Sequence, residues 1–245
     1  MQWYEGIINE LNIQEEYTHN DIITALIKRK PGLADSTYHW ALTCLLREKK
    51  LYKHGYDAYA LADGTQHEEY MPIYSDEANK VMDSISQAYP RVEFTVFETV
   101  LMNEFLNHLI AQNTIFVQVE KESSIFVFRH LQENGYQNLM YKPARKEFDL
   151  YWEKDCIVVT DIISEAPVRG DKPHLIMIEK MLVDMLADRL ISGTYSKAEY
   201  QDVMEQAYSR YRIDKTRMLR YARRRNKHSE IQKYLEGSIK QNAFT

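Results

Sequence analysis

The chain has 245 residues, 44% of them apolar and 27% charged, with a formal net charge of −5. These proportions describe a soluble globular chain able to bury a core, and the acidic balance excludes a uniformly basic nucleic-acid coat while allowing a local basic patch. Two isolated cysteines, Cys44 and Cys156, exclude a cysteine-rich zinc site and a disulfide framework.

Glu5, Glu10, Glu15 and Glu16 crowd the start, with no apolar stretch before a cleavage site, so no secretory signal is read there. The longest apolar runs are too short to span a bilayer. A cytoplasmic location without a membrane partner is the expectation. Residues 2–12 (QWYEGIINELN) read as a short amphipathic helix with Trp3, Ile7, Ile8 and Leu11 on one side. The residues from Thr18 to Asn20 can cap a second helix, whose apolar positions are Ile22, Ile23, Leu26 and Ile27 and which Pro31 and Gly32 stop. Asp35 or Ser36 then caps a third helix over 36–48, with Tyr38, Ala41, Leu42, Leu45 and Leu46 at helical spacing. In residues 51–61 (LYKHGYDAYAL) two short alternating runs flank a turn, which reads as a β-hairpin. Residues 63–75 hold Gly64, Pro72 and many polar groups and read as a linker, followed by a helix over 76–88.

From about residue 90 the pattern changes. Residues 92–99 alternate as a strand, 101–113 read as a helix, 114–120 as a strong strand, and 122–134 as a helix closed by Asn134 and Gly135. QNLMYKP, EFDLYW and CIVVTDI are three further strand candidates, and helices are predicted over 174–191, 196–210, 214–225 and 228–237. The expected fold class is α+β. An N-terminal winged helix-turn-helix (1–62) and a linker with a helix (63–89) lead into a mixed-sheet α+β domain with a helical C-terminal part (90–237).

Three short helices and a hairpin within about sixty residues follow the plan of a winged helix. The major groove admits one α-helix, whose first turns meet base edges. With its apolar stripe turned to the core, the third helix shows Ser36, Thr37, His39, Trp40, Thr43 and Arg47, short hydrogen-bonding groups with a cation further along. The hairpin tip offers Lys53, His54 and Tyr56 for phosphate or minor-groove contact. Lys28, Arg29 and Lys30 end the second helix and Lys49 and Lys50 the third, where they can grip phosphates. The same unit also serves as a protein-interaction module, Trp40 can equally belong to the core, and acids and bases nearly balance in 1–62. A second basic feature, 210–227, carries Arg217, Arg220, Arg223, Arg224, Arg225 and Lys227, a candidate surface for phosphate or an acidic partner. Pairing with the chain's own acidic groups at 179–205 is the alternative.

No complete catalytic set is present, so no enzyme activity is expected. Glu147 and Asp149 would share one face of a strand, as in magnesium-dependent nucleotidyltransferases, but the Gly-Ser turn such enzymes need upstream is replaced by KPARK. Asp184 and Asp188 lie four apart on a helix, a spacing that can hold a metal but more often meets arginines. No phosphate loop, zinc-protease or nucleophile-elbow motif occurs. Neither a metal nor a cofactor is implied. A nucleotidyltransferase-like or nuclease-like enzyme using these carboxylates stays as the alternative.

The winged-helix region, MNEFLNHL, TIFVQVEK, IISEAP, IEKMLVDMLAD and RMLRYARRRNK resemble the family of AbiEi antitoxins, winged-helix regulators of type IV toxin–antitoxin systems. The likeness runs over most of the chain and is strongest in 94–227. The resemblance implies a repressor that binds operator DNA of its own operon and a cognate nucleotidyltransferase-like toxin, which it need not touch. It would place DNA reading on Ser36, Thr37, Trp40, Thr43 and Arg47, the wing on 53–56, and a supporting role on the basic tail.

Overall fold

The structure is a computed structural model that describes residues 2–11, 17–48, 50–53, 57, 59–61, 68–170 and 172–242. The chain divides into two compact units, Met1–Glu68 with Arg212–Arg217, and Glu69–Tyr211 with Met218–Thr245. The fold is mixed α and β, as the sequence pattern predicts.

In the first unit, a 3-10 turn over Glu5–Asn9 takes the place of the longer helix that the spacing predicts. Its Gly6 lies against the Arg29 guanidinium, which would collide with any Cβ there. Helix α1 (His19–Arg29) starts at Thr18 through a reciprocal cap. Asp21 N–H donates to the Thr18 hydroxyl at 3.2 Å, and Thr18 N–H donates to the Asp21 carboxylate at 2.8 Å. Gly32, at φ 85°, turns the chain into α2 (Asp35–Arg47). The Tyr38 hydroxyl pins that turn, donating to Lys30 O at 2.8 Å and accepting from Leu33 N–H at 3.0 Å. Neither Asp35 nor Ser36 caps α2: the cap position is Ala34, and Asp35 sits in the first turn, where it favours the helix dipole. Strands β1 (Leu51–Lys53) and β2 (Tyr59–Leu61) pair antiparallel with Leu51 opposite Leu61. Tyr17 extends this pairing, exchanging two 2.8 Å backbone bonds with Tyr59. Tyr4, Ile7, Leu11, Ile22, Leu26, Tyr38, Leu42 and Leu45 close one core.

The second unit opens with Tyr70 and Tyr74, both buried. The segment read as a linker over 63–75 is anchored by these two tyrosines, the Tyr74 hydroxyl accepting from Ile176 N–H and donating to Val96 O, while Met71 and Ile73 between them stay exposed. Helix α3 (Asp76–Ala88) leads to a four-stranded sheet, ordered β3-β4-β6-β5. Strand β3 (Phe94–Glu98) runs antiparallel to β4 (Thr114–Val119), while β4, β6 (Cys156–Asp161) and β5 (Leu139–Tyr141) are parallel. Helices α4 (Ser124–Glu133) and α5 (Arg145–Tyr151) make the two crossovers. Helices α6 (Ile178–Ala187), α7 (Tyr200–Arg210), α8 (Lys215–Arg224) and α9 (His228–Asn242) follow.

Three expectations fail here, each for an identifiable contact. Residues 101–113 are not a helix beyond a 3-10 turn over Thr99–Glu104. The Asn103 side chain bonds both the N–H and the C=O of Ile110, and Glu199 accepts the N–H groups of Asn107 and His108, so side chains take the place of helical bonds. EFDLYW is helical within α5, not a strand: Glu147 caps Ala144 N–H, Arg145 pairs with Asp149 one turn on, and Phe148 is its buried contact. The helix predicted from 174 begins at Ile178, because Leu175 bridges Val96 beside β3.

Candidate nucleic-acid interface

Helix α2 holds Tyr38, Ala41, Leu42, Cys44 and Leu45 inward, so its other side must face out. Ser36, His39, Thr43 and Arg47 are exposed, Trp40 is 53% exposed, and Thr37 is half-buried. Trp40 is thus not core, although its ring meets Tyr4 edge-on at 5.7 Å. His39 stacks on His19 at 5.0 Å, a contact across α1 and α2 that residue spacing alone does not signal. The Thr43 hydroxyl donates to His39 O at 2.9 Å, so towards a partner it is an acceptor. Arg47 touches Cys44 Sγ at 3.6 Å and has no carboxylate partner among the described residues.

The expected phosphate grips are only partly free. Arg29 pairs with Glu10 at 2.5 Å and donates to Trp3 O. Lys50 lies 2.7 Å from Glu5 and 3.2 Å from Glu48. The bond between Lys50 and Glu5 holds the glutamate carboxyl below its ordinary value and raises the lysine. Lys30 lies over the Trp3 ring, and Lys28 is exposed. Lys49, His54 and Tyr56 lie outside the described residues. Lys53 is on β1, with its side chain outside the description.

The basic segment divides. On α8, Met218, Tyr221 and Ala222 are buried. Arg225, just past the helix, reaches Asp184 at 3.5 Å and Asp188 at 3.2 Å. Arg224 donates to the Ser164 hydroxyl at 2.5 Å, Arg223 lies 3.4 Å from His228, and Lys227 pairs with Glu230 at 2.6 Å. Arg217 pairs with Asp214 at 3.5 Å, and Arg220 is exposed without a side-chain partner among the described residues. Arg220, Arg223 and Arg224 remain as an exposed cationic strip.

The carboxylate pairs do not form a metal site. Asp184 is fully buried and meets Lys180 at 2.5 Å and the Tyr221 hydroxyl at 2.7 Å, with Lys180 also bonded to Gln118. Burial alone would raise the Asp184 carboxyl, but Lys180 and Arg225 overcome it and hold it below the usual carboxylate range. Glu147 and Asp149, two apart on a helix, point to different sides. Among the described residues, no group of three or more His, Cys, Asp and Glu is placed to hold a metal. Cys156 is buried, which pushes its thiol up to about 11. Sequence reasoning missed the cluster at the carboxyl ends of the parallel strands. There Ser124 and Lys142 both bond Asp161 at 2.7 Å, and Ser124 and Lys142 lower the Tyr141 phenol. Its members are 37 residues apart at the extreme, and only the β4-β6-β5 order brings them together.

Among the described residues, no helix is long and apolar enough to cross a membrane. A family model described as a family of unknown function (DUF6577) matches residues 37–241, from the first turn of α2 to the end of α9. No curated protein and no solved structure matches the chain.

Proposed function

We propose that this chain, which belongs to the DUF6577 family, is a DNA-binding regulator that reads a duplex with helix α2. One observation carries the reading: the polar face of α2 is open, while its apolar face is locked in a core with α1 and the hairpin. In a winged helix-turn-helix the second helix of such a pair enters the major groove, with a hairpin beside it as the wing. The order α1, pinned turn, α2, β1, β2, with Tyr17 added to the hairpin, supports that assignment. Ser36, Thr37, His39 and Thr43 would meet base edges, and Arg47 a guanine or a phosphate. The strip Arg220, Arg223 and Arg224 would add sequence-independent contacts. The resemblance to AbiEi antitoxins extends the reading to repression of an operon that also encodes a nucleotidyltransferase-like toxin.

The test is fluorescence anisotropy with the chain's own upstream DNA and a scrambled duplex across a salt series. Preference for the upstream DNA is expected, falling steeply with salt. Arg47→Ala should weaken it by about 1–3 kcal/mol, roughly five- to 150-fold. Equal affinity for both duplexes would remove the reading. The exposed Trp40 favours a second one, docking of a protein on the same face, since buried aromatics anchor protein interfaces. Under that reading Trp40→Ala abolishes partner binding and leaves DNA affinity unchanged.

A further inference from the structure

The second unit contains a cleft of which the DNA-binding reading uses only Arg224. It is about 560 Å3 in volume, within the range of small-molecule sites, and lies where β4 and β6 end. These two parallel neighbours send their chains in opposite directions. The exit of β4 runs through α4 to β5 at one edge, and the exit of β6 runs to Leu175 beside β3 at the other. A crevice outside the carboxyl ends of strands at such a divergence is where open α/β sheets bind ligands.

The cleft is lined by four carboxylates, Glu93, Glu120, Asp161 and Glu165, and by two cations, Lys121 and Arg224. Glu120 already accepts from the Ser123 hydroxyl, whereas Lys121 and Glu165 have no side-chain partner among the described residues. Arg224 uses Nε on Ser164, which leaves its two terminal nitrogens. Asp161 is held from one side only: Ser124 Oγ and Lys142 Nζ both bond its Oδ1, leaving Oδ2 without a partner among the described residues. Glu165 adopts φ 63°, in the left-handed region where a non-glycine residue is strained, a condition that concentrates at ligand sites. Ile162, Ile163 and Ala166 supply an apolar wall.

A simple anion would leave the carboxylates of Glu93, Glu120, Asp161 and Glu165 facing like charge, and a simple cation would do the same to Lys121 and Arg224. We propose that this cleft binds a small zwitterion of the amino-acid type. Its carboxylate meets Lys121 and Arg224, its ammonium meets Asp161 and Glu165, and its side chain lies on the apolar wall.

The experiment is thermal unfolding of the full chain, without DNA, against each of the twenty free amino acids, with putrescine and phosphate as single-sign probes. At least one amino acid is expected to raise Tm with saturation, while putrescine and phosphate do not. Lys121→Gln and Glu165→Gln, both at exposed positions, should each weaken that binding about tenfold or more without moving the unliganded Tm. No response to any amino acid, an equal response to phosphate or putrescine, or native-like binding by both variants would overturn the proposal. DNA affinity enters none of these readouts, so the regulator reading stands or falls separately.

Discussion

Helices α2 and α8 share a plan and differ in what it leaves available. Each anchors one side through a buried tyrosine, Tyr38 in α2 and Tyr221 in α8. On α2 the outward face carries a single cation, Arg47, and its groups almost all stay open. The stretch through α8 is the richest in cations, yet Arg225, Lys227 and Arg217 already meet carboxylates of the chain itself. The number of cations in a sequence therefore says little about the number a partner can use. A charge next to a buried carboxylate such as Asp184 is held by the cost of leaving that carboxylate alone, whereas a charge facing water is held by almost nothing.

The largest expected effect tests the internally paired side of this contrast. Asp184→Ala removes the counter-charge from Lys180, which is 1% exposed, and from Arg225. Breaking a buried ion pair from one side costs about 3–5 kcal/mol, measurable by denaturant unfolding. A loss under about 1 kcal/mol would mean that Arg225 is not tied to the interior, and the contrast with α2 would fail. The pH dependence has a fixed sign. The folded Asp184 carboxyl lies below its ordinary value of 3.8, so its stabilisation is complete above that pH and is lost as pH falls through the lower, folded value. The variant should lack this acid-limb loss.

A middle-sized effect tests the anchored side of α2. The Tyr38 hydroxyl joins the α1–α2 turn through two hydrogen bonds, so Tyr38→Phe should cost about 1–2 kcal/mol while the ring stays packed. Unfolding curves would check the loss, and circular dichroism would check that both helices persist. No loss would show that the turn holds without the hydroxyl, and that α2 is fixed by apolar packing alone.

Much of this arrangement is legible in the residues. The residues from Thr18 to Asn20 announce the start of α1, and Pro31-Gly32 its end. The five-residue apolar stripe of α2 assigns Ser36, His39 and Thr43 to the outside by spacing alone. Strands β4 and β6 are apolar runs flanked by polar residues, and both form. Most of what escapes a reading of the residues depends on partners distant in sequence. EFDLYW is the local exception: it alternates like a strand, yet the pairing of Arg145 with Asp149 one turn on and the burial of Phe148 go with a helix. The region 101–113 has helical periodicity, but Glu199, some ninety residues on, takes two of its backbone donors. The fate of Arg225 follows the same logic: Asp184 and Asp188 are visible as a pair in the sequence, but the burial of Asp184 beneath α8 is not.

The smallest expected effect on stability separates the two classes of arginine around one helix. Arg220 is exposed and has no partner among the described residues, so Arg220→Gln should change stability by no more than about 0.5 kcal/mol. Its effect should appear instead in the salt dependence of DNA binding. Removing one phosphate-binding cation makes the slope of log K against log salt shallower by about 0.9, and weakens upstream and scrambled duplexes alike. Arg225→Gln should do the reverse, lowering stability by about 1–3 kcal/mol through its buried partners and leaving the salt slope unchanged. If both variants shift the slope equally, Arg225 leaves its carboxylates when DNA arrives. If neither does, the exposed strip of α8 takes no part in binding, and recognition rests on the first unit alone.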